Sequence, residues 1–414
     1  MRYRKTNMNS RLKISAKSVA NILIALVIIS YVGPFASYKG SLILIGILGI
    51  LLLFCSMIPN FYAKKVSIMW KLCYIYLCCN SLLNLPNSLK YILLFSVGYL
   101  IIKRNMDDRD FSQIFSICKL VGSFESLAVL VQYFLPNIFY TFAKYWFYYS
   151  NQYEQVEYLG KWCKQYSGLC YEVSYAAVII SVCIVIFFVD LVMVPKTKSN
   201  KIYSIAMISL SYFAVILTGK RSFMLLLPVV LVLLYILYVR EHIKFKHILF
   251  IIIGISVLCI NFGTILDLVE KILAKGSNKG GIQLSERNRF WALAWSMFKE
   301  NPILGTGLNS FDIRFNLSGI RSIKYDFAGA HNIYIQLLGE TGILGVFFYI
   351  GAIFLSFFKG IKAVLVNRKI GRSTWISVAI GMIFLIYGLT GNVIYQPQEA
   401  ILLFLCISSY QSLE

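Results

Sequence analysis

The chain has 414 residues, of which 58% are hydrophobic and 14% are charged, and its mean hydropathy is +0.71. Water-soluble domains carry roughly 25% charged residues, so the composition excludes a soluble globular protein. A formal net charge of +22 would indicate nucleic-acid binding in a soluble chain. Here the basic residues lie between apolar runs and therefore indicate membrane topology, with no nucleic acid as a partner.

Apolar runs of helical length follow one another along the whole chain. A segment of about 20 apolar residues crosses a bilayer as an α-helix, so the sequence predicts an all-α polytopic membrane protein with about 12 transmembrane helices. Residues 1–414 then form a single integral membrane domain in the lipid bilayer. The predicted helices cover residues 18–36, 40–58, 66–84, 88–103, 112–136, 170–194, 202–218, 222–239, 248–267, 333–358, 374–391 and 398–412.

Basic residues collect in alternate connections between these helices. Lysine and arginine favour the cytoplasmic side, so the pattern predicts a multi-pass membrane protein with both termini in the cytoplasm. The cytoplasmic clusters are the amino-terminal segment 2–17, Lys64 and Lys65, residues 103–109, residues 196–201, residues 240–246 and residues 359–372.

Three outward connections do not follow the charge rule simply, and function is expected there. Residues 137–165 form an aromatic outward loop, which suits either an interfacial segment or an aromatic belt. Lys220 and Arg221 lie in a tight outward turn, and residues 268–331 form a large outward loop between predicted helices 9 and 10. Ionisable residues held against a membrane are candidates for function.

The cysteine and histidine content gives no indication of a metal site. Most of the cysteines lie inside apolar runs and are interpreted as small packing residues. Cys163 and Cys170 fall near an outward connection, so the sequence leaves open whether they form a disulfide or remain free thiols. The three histidines have no metal-ligand spacing, so we expect no metal and no cofactor.

Cations and one histidine mark the predicted outward side. Lys220, Arg221, Arg287 and Arg289 supply positive charge, and the planar guanidinium group matches pairs of phosphate oxygens. An anionic lipid carrier is the ligand that this chemistry indicates, although Arg221 could also snorkel and Arg287 could be a solvated loop charge. His331 precedes a predicted helix, where it could accept a hydroxyl proton or act only as a structural cap.

Several motifs make the region from about residue 165 to residue 395 resemble the bacterial O-antigen ligase and polymerase superfamily. The segment from His331 to Gly345 is similar to the family signature His-[Asn/Ser/Gln]-x9-Gly-x-x-[Gly/Thr/Tyr]. The loop that begins at Asn301 resembles an Asn-Pro-hydrophobic-x-Gly-x-Gly element. Arg-x3-Trp at Arg287, Arg-x3-Leu at Arg221 and, less closely, Gly-Leu-x-x-Glu-x-Ser around Glu172 also match.

The resemblance implies a fold of the membrane glycosyltransferase C type and a metal-independent, inverting glycosyl transfer. The donor would be an undecaprenyl-diphosphate-linked oligosaccharide, and His331 would activate the acceptor hydroxyl as the catalytic residue. The resemblance assigns substrate binding to Arg221, Arg287, Lys220, Arg289, Glu172, Asn332 and Asn309. A chain-length regulator and a flippase are candidate partners.

Two further expectations concern the histidine helix and the loop before it. Gln336 and Glu340 share one helical face, and a carboxylate at membrane depth needs a partner, so we interpret Glu340 as structural. Gly339, Gly342 and Gly345 favour close helix packing. Gly305 and Gly307 would let the backbone approach a sugar or the diphosphate.

Three functions remain open at this point. A polysaccharide polymerase would transfer glycan to another carrier-linked repeat unit, and the loop at Asn301 together with the Glu172 segment favours it. An O-antigen ligase would transfer glycan to lipid A core. A lipid-linked oligosaccharide flippase would explain the hydropathy, but it predicts pseudo-symmetric halves, and none are apparent.

Overall fold

The computed structural model describes residues 17–33, 38–55, 58, 61–62, 65–85, 87–147, 150–194, 197–240, 252, 282–318, 329–366 and 370–411. Within these ranges the chain is helical and contains no strand. The predicted helix 248–267, apart from residue 252, lies outside the described residues. Each of the other eleven predicted helices coincides with an observed helix.

The first seven helices are α1 (Lys17–Ile29), α2 (Tyr38–Phe54), α3 (Ile68–Ser81), α4 (Leu89–Lys103), α5 (Asp108–Phe134), α6 (Pro136–Trp146) and α7 (Ser150–Lys161). They are followed by α8 (Val173–Met193), α9 (Lys198–Leu217), α10 (Arg221–Val239), α11 (Ile282–Glu300) and α12 (Ser310–Leu317). The last three are α13 (Ile333–Val366), α14 (Arg372–Tyr387) and α15 (Pro397–Gln411).

Among the described residues, five helices are long and apolar enough to cross a membrane, namely α5, α8, α9, α10 and α13, and three shorter apolar helices are α1, α2 and α14. The described part of the chain is therefore all-helical and has the character of a membrane protein, whereas the number of about 12 transmembrane helices stays a prediction. Local sequence explains where several helices begin. The Asp107 and Asp110 side chains form a reciprocal capping box at α5, and Pro136, which needs no amide partner, opens α6.

The core centres on α8, whose side chains are buried along nearly its whole length. This helix packs against α5, α9, α10 and α14. Gly122 on α5 allows the close approach, because a Cβ atom there would lie 2.6 Å from the carbonyl oxygen of Ile179. A second layer is formed by α13, which packs against α3 and α11, and by α15, which packs against α4 and α14.

The helices run between two chemically different ends. The basic end, where α5 and α14 begin, holds ion pairs between residues of the predicted cytoplasmic clusters and acidic groups. Lys17 Nζ lies 3.8 Å from Asp110 Oδ2, and Asp190 on α8 pairs with Lys119 at 2.8 Å and with Arg372. The opposite end, where α8, α10, α13 and α15 begin, is called the site end below.

Two predicted connections contain more structure than expected. The aromatic segment 137–165 folds largely into α6 and α7 and is not an extended loop. The described part of the segment 268–331 contains α11 and α12. These helices are too short or too polar to cross a membrane, so a search for apolar runs of spanning length assigns them to loops. Cys163 and Cys170 are free thiols, and Cys163 is exposed whereas Cys170 is buried, so they form no disulfide.

Candidate functional site

Several chain segments meet at the site end of the bundle. The amide of Tyr166, just before α8, donates to the carbonyl oxygen of Leu217 at the end of α9, at 3.1 Å. The amide of Ile333 at the start of α13 donates to the carbonyl oxygen of Gly388 at 2.9 Å. The Tyr175 hydroxyl on α8 donates to the Gln396 side chain just before α15. These contacts bring the starts of α8, α13 and α15 to one region.

Glu172 is placed by a loop that side chains of α5 hold in position. The buried Glu125 carboxylate accepts hydrogen bonds from the amides of Leu169 at 3.2 Å and Cys170 at 3.3 Å. The Gln132 side chain accepts from the amide of Gly168 at 2.8 Å. Glu172 follows as the residue that begins α8. Because a buried carboxylate needs such partners, the loop and α5 form one unit.

Lys220 lies beside Glu172 in the tight turn between α9 and α10. Burial lowers the pKa of the partly buried Lys220 ammonium group, Glu172 and Glu399 oppose that shift, and the positive charge of Arg287 adds to it. Burial raises the pKa of the Glu172 carboxyl, and Lys220 opposes that shift. These couplings place two cations and two carboxyl groups close together at the site end.

The helix α11 connects Arg287 to the histidine. The Trp291 indole N–H donates to the carbonyl oxygen of Ala330 at 3.0 Å, and the Phe290 ring lies 6.0 Å from the His331 ring, centroid to centroid. Arg287 stands one turn before these two aromatic residues on the same helix, so it shares their face. The spacing Arg-x3-Trp therefore places a guanidinium group in the turn next to the histidine loop.

His331 has an unusual backbone conformation and an exposed side chain. Its φ is 52°, in the left-handed region that non-glycine residues rarely adopt. Such a conformation costs of order 1–3 kcal/mol and persists only where its surroundings fix it. Two hydrogen bonds hold Ala330, the residue before His331. The Trp291 indole N–H donates to its carbonyl oxygen, and its amide donates to the Gln336 side chain at 2.9 Å.

Asn332 caps the helix that follows the histidine. Its side-chain oxygen accepts hydrogen bonds from the amides of Tyr334 at 3.1 Å and Ile335 at 3.2 Å. Asparagine is a favoured N-cap residue because it satisfies amides that lack helical partners. The predicted start of the helix near Ile333 is confirmed. The second motif position, assigned by resemblance to substrate binding, is therefore engaged in capping.

The helix α13 is broken at Gly342, and the loop 301–307 is bonded to the break. Gly342 has φ 64° and ψ −170°, values outside the helical region. The amide of Ile343 donates to the carbonyl oxygen of Pro302 at 2.9 Å, and the amide of Gly307 donates to that of Glu340 at 2.9 Å. Gly342, which was expected to pack closely against another helix, instead packs closely against the loop 301–307, where a Cβ atom would lie 2.3 Å from the carbonyl oxygen of Ile303. Gly339 does pack closely against α11, at the backbone of Ala294.

Gly305 and Gly307 differ from the expectation in the same way. A Cβ atom on Gly305 would lie 2.3 Å from the carbonyl oxygen of Glu340, and one on Gly307 would lie 3.0 Å from the Asn84 side chain. The backbones of both glycines therefore lie against other parts of the protein. The sequence shows that a close approach is possible but not whether the neighbour is protein or ligand.

Glu340 is structural, as its position on the helix predicted. Its buried carboxylate accepts hydrogen bonds from the amide of Asn309 at 2.9 Å, the amide of Phe311 at 3.2 Å and the Gln336 side chain at 3.2 Å, and also from the Tyr395 hydroxyl. Asn309, another predicted binding residue, is buried, with φ 64°, and its side chain donates to the carbonyl oxygen of Asn87 at 3.2 Å.

Glu399 is the member of this group that the sequence did not indicate. Its side chain is 1% exposed, and neither carboxylate oxygen has a hydrogen-bond partner among the described residues. The hydropathy pattern does not single out Glu399, because this residue lies in the first turn of the apolar helix α15. The useful signal was the carboxylate itself, because an acidic residue in an apolar run is costly unless it has a function or a partner.

The structure thus brings together Glu172, Lys220, Arg287 and Glu399, with His331 adjoining the Arg287 helix. Arg221 is exposed at the start of α10, and Arg289 is exposed on α11. Within the described part of the chain, no three side chains of histidine, cysteine, aspartate or glutamate come close enough to hold a metal ion.

The comparison with protein families agrees with the motifs. Residues 205–350 match the family described as O-antigen ligase. No curated protein matches the chain. The matched region runs from α9 through the break in α13, so it includes Lys220, Arg287 and His331, whereas Glu172 and Glu399 lie outside it. The resemblance inferred from the motifs is confirmed.

Proposed function

From the match of residues 205–350 to the family described as O-antigen ligase, we propose that the chain is a polysaccharide polymerase of the O-antigen ligase and polymerase superfamily. It transfers an undecaprenyl-diphosphate-linked glycan to a hydroxyl of another lipid-linked repeat unit. The reaction takes place at the outer face of the cytoplasmic membrane. The products are O-antigen or capsular polysaccharide.

The observation that supports this proposal is the position of His331 beside the helix that carries Arg287, a member of a cationic group at one end of the bundle. Lys220 and Arg287 are near enough for their charges to disfavour each other. Two cations held together in a partly buried region are suited to an anion with more than one charge, such as a diphosphate. His331, held in a left-handed conformation beside the Arg287 helix, supplies an imidazole, the side chain that most often serves as a general base in enzymes.

The proposed reaction is an inverting displacement. The acceptor hydroxyl oxygen attacks the anomeric carbon of the donor, and the bond from that carbon to the diphosphate oxygen breaks. His331 takes the hydroxyl proton, and the electron pair leaves with undecaprenyl diphosphate. Lys220, Arg221 and Arg287 hold the leaving group and neutralise the developing charge, a contribution of several kcal/mol in enzymes of this kind. We expect no metal requirement, so a chelator should leave activity unchanged.

A ligase is the second candidate, because the family that matches residues 205–350 is described as O-antigen ligase. The donor and the bond broken are the same, and only the acceptor differs, being lipid A core. Glycan analysis of a deletion strain separates the two. Single repeat units on the surface indicate that the missing enzyme is a polymerase. Full-length polymer that remains on the lipid carrier indicates a ligase.

The mechanism is tested with the purified chain and a lipid-diphosphate-linked glycan donor. His331→Ala should fold, since the exposed side chain fills no core volume, yet transfer should fall by roughly 10²–10⁴-fold. His331→Gln keeps a hydrogen-bonding group without a base at this pH and should stay inactive. His247→Ala, at a residue predicted to be cytoplasmic, is the matched control. Wild-type transfer by His331→Ala would refute the mechanism.

A further inference from the structure

A cavity of about 820 Å³ lies at the site end between α5, α6 and α7. Its size is that of pockets which enclose molecules of several rings. Five tyrosines line it, at positions 133, 140, 145, 153 and 166, and the Gln132 amide adds a polar group. Tyrosine rings offer flat apolar faces with a hydroxyl at the edge, a combination suited to sugar rings, which are apolar on their C–H faces and polar around their rims.

The cavity has an excess of positive charge. It is lined by Lys144, Lys161, Lys164 and a single acidic residue, Glu157. Glu157 is already paired, since its carboxylate lies 2.5 Å from Lys161 Nζ on the same helix. Lys144 and Lys164 have no acidic partner among the residues that the structure describes, and both are exposed. The charge on the cavity wall therefore favours an anionic ligand.

The two lysines without an acidic partner lie on different elements. Lys144 is in α6, and Lys164 follows the end of α7. A single phosphate would need several donors converging on one point. Charges spread around an aromatic cavity match an extended ligand that carries carboxylates at intervals.

The cavity is also connected to the cationic group by the chain itself. Tyr166 lines the cavity, and Glu172 follows six residues later, so the two are within about 20 Å of each other. Gln132 lines the same cavity and holds Gly168 between them. A glycan bound in the cavity could therefore extend to the group that contains Glu172 and Lys220.

We propose that this cavity binds a negatively charged segment of a glycan chain, with sugar rings against the tyrosines and carboxylates near Lys144 and Lys164. The assignment of the ligand to the growing or acceptor glycan rests on the proposed function. The cavity then sets a preference for acidic repeat units and holds the chain while its end lies at the reacting group.

Binding is measured without transfer, using the full chain in nanodiscs with tetragalacturonate as the acidic probe and maltotetraose as the neutral one. The wild type should prefer tetragalacturonate. Lys144→Ala with Lys164→Ala should weaken that binding roughly 5- to 10-fold, as expected for two partly screened charge contacts. Lys198→Ala with Lys201→Ala removes the same charge at the exposed basic end of α9 and should change nothing.

Three results would overturn the proposal. The wild type could bind both probes equally, or not at all; the cavity double variant could bind tetragalacturonate as the wild type does; or inorganic diphosphate could displace the probe from the wild type, which would indicate a phosphate site. A wild type that binds tetragalacturonate through the cavity lysines but transfers no glycan would refute the proposed function and leave the cavity assignment intact.

Discussion

Arg221 stands exposed as the first residue of α10, next to Lys220. We predict that Arg221→Lys is not silent, because a point charge cannot reproduce the two parallel hydrogen bonds of a guanidinium group to phosphate oxygens. The Michaelis constant for the lipid-diphosphate donor should rise several-fold with the positive charge retained. Arg109→Lys, an equally exposed change at the basic end of α5, serves for comparison. If the Michaelis constant of Arg221→Lys for the donor equalled that of the wild type, Arg221 would have no role in donor binding.

Glu172 gives a prediction for pH dependence. Burial raises the pKa of this carboxyl group, so the folded protein retains its proton to a higher pH than the unfolded chain does. The free energy of unfolding should therefore fall as the pH rises from the ordinary glutamate pKa to the raised folded value. Glu172→Gln removes this loss, so its Tm should improve relative to the wild type across that window. A Tm difference independent of pH would contradict the assignment.

Glu340 should be important for stability. Glu340→Gln leaves the volume nearly unchanged but replaces one accepting oxygen with an NH2 group. Either the Asn309 amide and the Tyr395 hydroxyl, or the Phe311 amide and the Gln336 side chain, then lose their acceptor. We expect a loss of about 2–4 kcal/mol in the free energy of unfolding. Glu300→Gln, which breaks an exposed pair with Arg314 at 2.6 Å, should cost less than about 1 kcal/mol. Equal Tm losses for the two variants would argue against a structural role for Glu340.

Among individual residues, the sequence predicted those that carry the motifs. It missed residues whose role depends on proximity in the folded chain. The cap position of Asn332 and the pairing of Glu340 follow from local helical geometry, so both are accessible to sequence reasoning. Glu399 approaches Lys220 through helices distant in the chain. Without the fold, an acidic residue at the start of an apolar helix could not be assigned to any site.

Among the elements, the break in α13 is the feature most sensitive to a small change. Gly342→Ala would place a Cβ atom 2.3 Å from the carbonyl oxygen of Ile303, at a residue with φ 64°. The left-handed backbone alone costs about 1–2 kcal/mol for a residue other than glycine, and the clash with backbone adds to it. We predict a Tm loss of several degrees and lower recovery of folded protein.

The matched variant is Gly351→Ala in the same helix. There the nearest foreign atom is the flexible Met69 Cε at 2.7 Å, and the backbone is helical. Alanine also has the higher helix propensity, so this variant should be nearly neutral. If Gly342→Ala and Gly351→Ala had the same Tm, the conformation at the break would not require glycine.

The apolar helices could be predicted from hydropathy, whereas α6, α7 and α12 could not. A long apolar run has few alternatives to a helix in a membrane, because its backbone groups must bond internally. Short helices such as α12 depend on tertiary contacts, here the Glu340 carboxylate at its first turn. The break at Gly342 was hidden for the same reason, since it depends on the loop 301–307.

For the whole molecule, the two ends of the bundle give a testable orientation. The site end should face outward, because the predicted cytoplasmic clusters gather at the other end. A variant with Cys163 as its only cysteine should react in intact cells with a maleimide that cannot cross the membrane, since Cys163 is exposed near the site end. A cysteine-free background with Lys198→Cys should react only after permeabilisation. The reverse pattern would invert the orientation and exclude transfer at the outer face.

The two buried glutamates, Glu125 and Glu340, hold their loops through backbone amides. Any amino acid other than proline offers a backbone amide, so the two carboxylates fix the path of each loop without a particular polar side chain on the loop itself. The segments that contain these amides, 168–170 and 309–311, are buried. During divergence, the residues that flank these segments can therefore change more freely than the segments themselves while the helices beneath them keep their places.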